Sequence, residues 1–265
     1  MPSVSETHET GGHASHAGSE QSSSNQRLRV LFIGNSFTFV NDLPRLVERL
    51  AASANEPRLL ETSMVTVGGA SLKSHWDDGE ALAAIRKGKW DYVILQEQSA
   101  VPVNNPKMMY AHARFFDAEI KKTGAKTVFY MTWAREDHPE AQAAITEAYT
   151  SIASELGAVI APVGLAWQRA LKEKGGLRLY YEDKLHASPT GTYLAACVFY
   201  SVFYGKSPEG LTRRLIDSQF GSDNDGVNVD LDNLSEMDAR LIQRIAWATV
   251  QETQKSKPAQ QRQAA

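Results

Sequence analysis

The feature that most constrains this chain is its rhythm, in which short β-rich runs alternate with stretches of helical periodicity. RLRVLFI (27–33), LETSMVTV (60–67), DYVILQ (91–96), KTVFYMTW (126–133) and GAVIAPV (157–163) read as strands, and their nearly continuous apolar character is that of strands covered on both faces. Between and after them, LPRLVERLAASA, EALAAIRKG, residues 106–122, HPEAQAAITEAYTSIASEL, TGTYLAACVFYSVFYG and LSEMDARLIQRIAWATVQE read as helices, with Asp42 and Ser235 as starters. Strand and helix alternating in this way predict a central parallel sheet of about five strands with helices on both sides. No repeat or internal boundary interrupts the pattern.

At both ends the pattern stops. Residues 1–26 contain almost nothing large and apolar, so they cannot offset their own ordering entropy and are expected to form a disordered polar tail. Residues 256–265 are expected to be a second flexible tail, leaving 27–255 as one domain. A net charge of −3 and the absence of Lys/Arg stripes argue against nucleic acid as a partner. No apolar run reaches the roughly 20 residues of a membrane span. The chain therefore reads as soluble. Its compartment stays open: cytoplasmic as written, periplasmic or secreted if an export signal has been removed. Cys197 is the only cysteine, and its setting, LAACVFY, is that of a small buried hydrophobe rather than a catalytic thiol.

In open α/β sheets the functional site lies beyond the carboxyl ends of the strands. Ser36, Gly68, Gly69, the run Gln96–Ser99 and Trp133 all fall at such ends. A serine hydroxyl becomes a nucleophile only when a base takes its proton and a third group orients the base. Asp183 and His186 are three apart in a loop just before a helix opened by Pro189. That spacing lets the carboxylate reach one imidazole nitrogen while the other points outward. Donors for an oxyanion are expected from the Ser36 backbone N–H, from Gly69, and from the side-chain amide of Gln96 or Gln98, which share a strand face.

The order GNSFT, VGGAS, LQEQS and DKLH resembles the four blocks of the SGNH superfamily, also called GDSL hydrolases, and in particular a bacterial branch whose first block reads GNSFT. The resemblance implies a flavodoxin-like three-layer α/β/α sandwich. It also implies Ser36 as nucleophile, His186 as general base and acid, Asp183 as its partner, and Gly69 in the second-block glycine role. The third block departs from the family, because glutamines stand where an asparagine after a glycine is usual. Counting along the strand favours Gln98, whereas the register of acetylesterase-like relatives with a QGE pattern favours Gln96, which is the choice made here.

Asn35, between Gly34 and Ser36, is expected to brace its loop. It is grouped with Trp133 and His75 as candidate lining of the substrate pocket. Each residue also has a plainer reading: Ser36 as a helix cap, Gly68–Gly69 as a turn, His75 as a helix-face residue, Trp133 as packing. His8, His13 and His16 lie in the tail at irregular spacing, and the acidic run 221–232 puts Gly221 where a calcium loop needs its first carboxylate. No metal or other cofactor is therefore expected. The function expected is a serine esterase acting on short-chain esters of a small molecule or carbohydrate, acetyl groups on carbohydrate among them. A non-catalytic carbohydrate-binding protein on the same fold and an acyltransferase using the same triad are the alternatives. Oligomeric state is not legible.

Overall fold

The computed structural model describes residues 27–213 and 234–255. Both predicted tails and the acidic run 221–232 lie outside the described residues. Five parallel strands, β1 (Arg27–Gly34), β2 (Leu59–Thr66), β3 (Tyr92–Leu95), β4 (Lys126–Tyr130) and β5 (Val159–Ala161), form one sheet in the order β2-β1-β3-β4-β5. This is the flavodoxin-like order, with its switch point between β1 and β3. Ten α-helices follow in chain order among the described residues. They are α1 (Ser36–Phe39), α2 (Leu43–Ser53), α3 (Leu72–Asp78), α4 (Glu80–Lys87), α5 (Val101–Asn104), α6 (Pro106–Lys122), α7 (Gln142–Leu156), α8 (Val163–Glu173), α9 (Pro189–Tyr204) and α10 (Glu236–Lys255).

The period-two geometry of β1 divides the molecule into its layers. Val30 and Phe32 point into one core, built with α2, α8, α9 and α10, while Leu31 and Ile33 point into the other, built with α3, α4, α6 and α7. Helix α9 is buried on nearly every side between the sheet and its neighbour helices, which explains why its sequence is apolar all round. Ser188 caps it, with Oγ accepting from Gly191 N–H at 3.1 Å. The loop that ends at His186 is thus pinned to a rigid helix start.

Two sequence expectations are corrected. Strand β2 is not covered on both faces: it is the sheet edge, and Leu59 and Met64 are exposed, consistent with the polar Glu61, Thr62 and Ser63 in its middle. Helix α8 was absent from the predicted elements. Only Pro162 separates it from β5, so the apolar run of GAVIAPV passes into VGLAW with no polar break to mark the change of period.

Candidate active site

Strand β1 must end on a glycine. A Cβ at Gly34 would stand 2.4 Å from Gln96 Oε1 and 2.6 Å from Thr38 Oγ1, closer than any side chain can approach. Behind it, the imidazole of His75 donates from Nε2–H to the Gly34 carbonyl at 2.7 Å. The next residue, Asn35, spends its groups on the loop. Its N–H donates to Gln96 Oε1 at 2.8 Å, its Nδ2–H to the Ala70 carbonyl at 2.9 Å, and its Oδ1 accepts from Phe37 N–H at 3.1 Å. Asn35 is therefore the N-cap of α1. Ser36, which the plainer reading made the cap, keeps its hydroxyl free for other work.

That hydroxyl meets the imidazole of His186. Ser36 Oγ lies 2.9 Å from His186 Nε2, and His186 Nδ1 lies 2.5 Å from Asp183 Oδ2. Burial alone would raise the Asp183 pKa. Hydrogen bonds from the imidazole and from the backbone N–H groups of Leu185 and His186 outweigh it and hold the carboxyl down to about 2. An ionised Asp183 fixes the proton on Nδ1 and leaves Nε2 as the acceptor facing the serine. Two segments separated by 150 residues thus form one hydrogen-bonded chain at the carboxyl end of the sheet.

The loop that carries His186 is aligned by a stack of rings. Trp133 lies parallel to Phe37 on one side, with centroids 4.7 Å apart, and to Trp167 on the other, at 4.0 Å. Its Nε1–H donates to the Leu185 carbonyl at 2.9 Å, and Phe37 meets the His186 ring edge-on at 5.8 Å. Burying aromatics of this size contributes about 1.5–3 kcal/mol each, so the packing that stabilises the core also sets the height of His186.

The three pocket-lining expectations are corrected by burial. Asn35, His75 and Trp133 are each no more than 3% exposed, and their polar groups are spent on the loop after β1 or on the loop that carries His186, so they support the site from behind. Gln96, the preferred side-chain oxyanion donor, is corrected too. It is fully buried, its Oε1 holds Asn35 N–H and the Thr38 hydroxyl, and its Nε2–H is given to the Glu97 carbonyl at 2.5 Å. Gln98 is half-buried and its Oε1 accepts from Ala100 N–H. Among the described residues its amide nitrogen has no partner. The backbone N–H groups of Ser36 and Gly69 likewise make no hydrogen bond within the described residues, and Gly69 has a left-handed φ of 69°, the conformation glycine adopts most readily.

Sequence reasoning missed Glu97. Its side chain is fully buried, with Oε1 accepting from Leu72 N–H at 3.1 Å and Gln98 N–H at 2.7 Å. Its Oε2 is buried without a partner. Desolvation raises its pKa to about 7 despite those two hydrogen bonds. The signal available was a lone carboxylate directly following an apolar strand. Among the described residues no group of three or more His, Cys, Asp or Glu side chains is placed to hold a metal ion, and no helix there is long and apolar enough to cross a membrane.

The five-stranded parallel sheet with helices on both faces is the fold of the SGNH, or GDSL-like, hydrolases. The chain is similar to a candidate SGNH hydrolase from Slackia heliotrinireducens at 26% identity, over 66% of this chain and 98% of that one, with a TM-score of 0.56. It is also similar to a DUF4886 family protein from Bacteroides uniformis (18% identity, 86% and 96% covered, TM-score 0.64) and to the acetyl xylan esterase AlAXEase (14%, 66% and 99%, TM-score 0.56). At 18% and 14% identity the likeness establishes the fold. No protein-family profile matches the sequence, and no curated protein matches it.

Proposed function

We propose that the protein is a serine esterase that hydrolyses short-chain carboxylic esters through an acyl-enzyme on Ser36. The observation that carries this reading is the continuous hydrogen-bonded chain Ser36 Oγ, His186, Asp183, with separations of 2.9 and 2.5 Å. As the hydroxyl attacks the ester carbonyl, His186 Nε2 takes its proton, and Asp183 stabilises the imidazolium. The backbone N–H groups of Ser36 and Gly69 receive the oxyanion, with the Gln98 amide as the side-chain candidate in place of Gln96. His186 then protonates the departing alcohol oxygen. It next deprotonates a water, which attacks the acyl carbon and regenerates the serine.

A cavity of about 450 Å³ lies against His186, lined also by Val40, Tyr181, Glu182 and Asp183. Its place beside the general acid makes it the seat of the leaving alcohol. An exposed tyrosine ring next to carboxylates suits the apolar face and hydroxyls of a sugar, and one protein of similar fold is an acetyl xylan esterase, so acetylated carbohydrate is the substrate class favoured. The test is hydrolysis of p-nitrophenyl acetate and of acetylated sugars by the wild type and by Ser36→Ala. Release of acetate by the wild type, lost in a folded Ser36→Ala, is expected. Undiminished activity in that variant removes the nucleophile assignment. Product analysis with competing alcohols separates hydrolysis from acyl transfer, and sugar binding without fluorophosphonate labelling of Ser36 would favour the non-catalytic alternative.

A further inference from the structure

His186 sits on a loop, residues 180–187, that is mostly exposed and closes on itself. Tyr180 and Ala187 form an isolated antiparallel bridge, and Tyr181 N–H donates to the His186 carbonyl at 2.9 Å. Such a loop keeps its own shape, including the Asp183–His186 contact, wherever it lies. Its position over the sheet has to be set by groups outside it. Three donors and an acceptor do so: Trp133 Nε1–H on the Leu185 carbonyl, Glu136 N–H on the Lys184 carbonyl at 3.0 Å, Asn41 Nδ2–H on the Ala187 carbonyl at 2.9 Å, and the Ala134 carbonyl, which accepts from the Tyr180 hydroxyl at 2.8 Å. Trp133, Ala134 and Glu136 reach it from the segment that follows β4. Asn41 alone of the four comes from the segment that carries the nucleophile, five residues after Ser36.

The Asn41 side chain has three polar contacts, all with the base loop or the helix after it. Besides the Ala187 carbonyl, Nδ2–H donates to Thr192 Oγ1 at 2.8 Å, in the first turn of α9, and Oδ1 accepts from the Tyr181 hydroxyl at 2.8 Å. One amide thereby grips both limbs of the loop, Tyr181 going in and Ala187 coming out. The backbone is turned to allow it. Asn41 has φ 58° and ψ 19°, and Asp42 follows at φ 46°, two consecutive left-handed residues of which neither is glycine. Such conformations persist only where the surroundings over-determine them, and they cluster at functional sites.

We propose that Asn41 is a positioning residue that clasps the base loop to the nucleophile segment and so sets the Ser36–His186 separation. The inference rests on the serine-esterase reading above. Misplacing a catalytic group by an ångström can cost about 100-fold in rate, so this clasp bears on turnover more than on substrate affinity.

The test uses the full chain with p-nitrophenyl acetate. Asn41→Gly keeps the left-handed backbone and deletes all three hydrogen bonds. Asn41→Asp keeps the acceptor for Tyr181 and deletes the donation to Ala187. Both are expected to lower kcat about 10- to 100-fold with KM within twofold, and to slow fluorophosphonate labelling of Ser36 by the same factor, at temperatures where circular dichroism shows them fully folded. Tyr181→Phe removes a single exposed hydroxyl and guards against misfolding of the others; it is expected to lower kcat a few-fold. Wild-type kcat and labelling rate in folded Asn41 variants, or in Tyr181→Phe should those not fold, overturn the proposal. Ser36→Ala measured alongside separates the two readings. If it is inactive while the Asn41 variants match the wild type, the clasp fails and the esterase stands; if it is active, the esterase reading itself fails.

Discussion

Replacing Glu97 by Gln should reverse a pH-dependent loss of stability. The side chain is fully buried with one oxygen unpartnered, and desolvation raises its pKa to about 7 from an ordinary 4.5. A folded-state pKa above the unfolded value means that, between pH 4.5 and 7, the folded protein binds a proton the unfolded chain has already lost. Stability from this group is therefore complete below about pH 4.5, declines as pH rises, and is gone above about pH 7. The shift of 2.5 units, at 1.36 kcal/mol each, corresponds to about 3 kcal/mol. Glutamine has the same shape, keeps an acceptor for Leu72 and Gln98 N–H, and never ionises. Urea denaturation of wild type and Glu97→Gln at pH 5 and pH 8 measures the effect. With an m-value of about 3 kcal/mol/M for a domain of this size, the difference between variant and wild type should move by about 1 M in midpoint, in favour of the variant at pH 8. Parallel behaviour of the two proteins at both pH values would refute the reasoning, since it would mean that the carboxylate is solvated or paired.

Two further outcomes follow from the site. Asp183→Asn should lower kcat by about 10³- to 10⁴-fold with the fold intact, because an amide neither holds the Nδ1 proton in place nor stabilises the imidazolium; steady-state kinetics check this. Gly34→Ala should destabilise the protein by about 1–3 kcal/mol and lower activity as well, because its methyl group would displace the Gln96 oxygen that holds Asn35; denaturation and ester hydrolysis run together test both halves.

How far the sequence carries the reader depends on whether the governing interaction is local. The strand–helix alternation is written in periodicity, and the five-stranded parallel sheet follows from it. Asp183 and His186 pair within one loop, so their spacing alone announces them. Depth at a strand end has no such signature. Period-two alternation puts Gln96 and Gln98 on one face, yet it does not say that the Asn35 loop folds down over Gln96 and takes its oxygen. For the same reason His75 and Trp133 look like pocket walls in the sequence and turn out to be beams behind the wall. Asn41 gave no signal, since its left-handed turn and its partners near residue 190 exist only once α9 has packed against α2.

The parallel indoles of Trp133 and Trp167, 4.0 Å apart, make the molecule its own optical gauge. Two transition dipoles at that range couple, and one of the rings is hydrogen-bonded to the residue next to His186. Any excursion of that loop will disturb the tryptophan emission and the near-ultraviolet dichroism without an added label. On the proposed esterase mechanism, acylation of Ser36 can thus be followed in real time by the protein's own light.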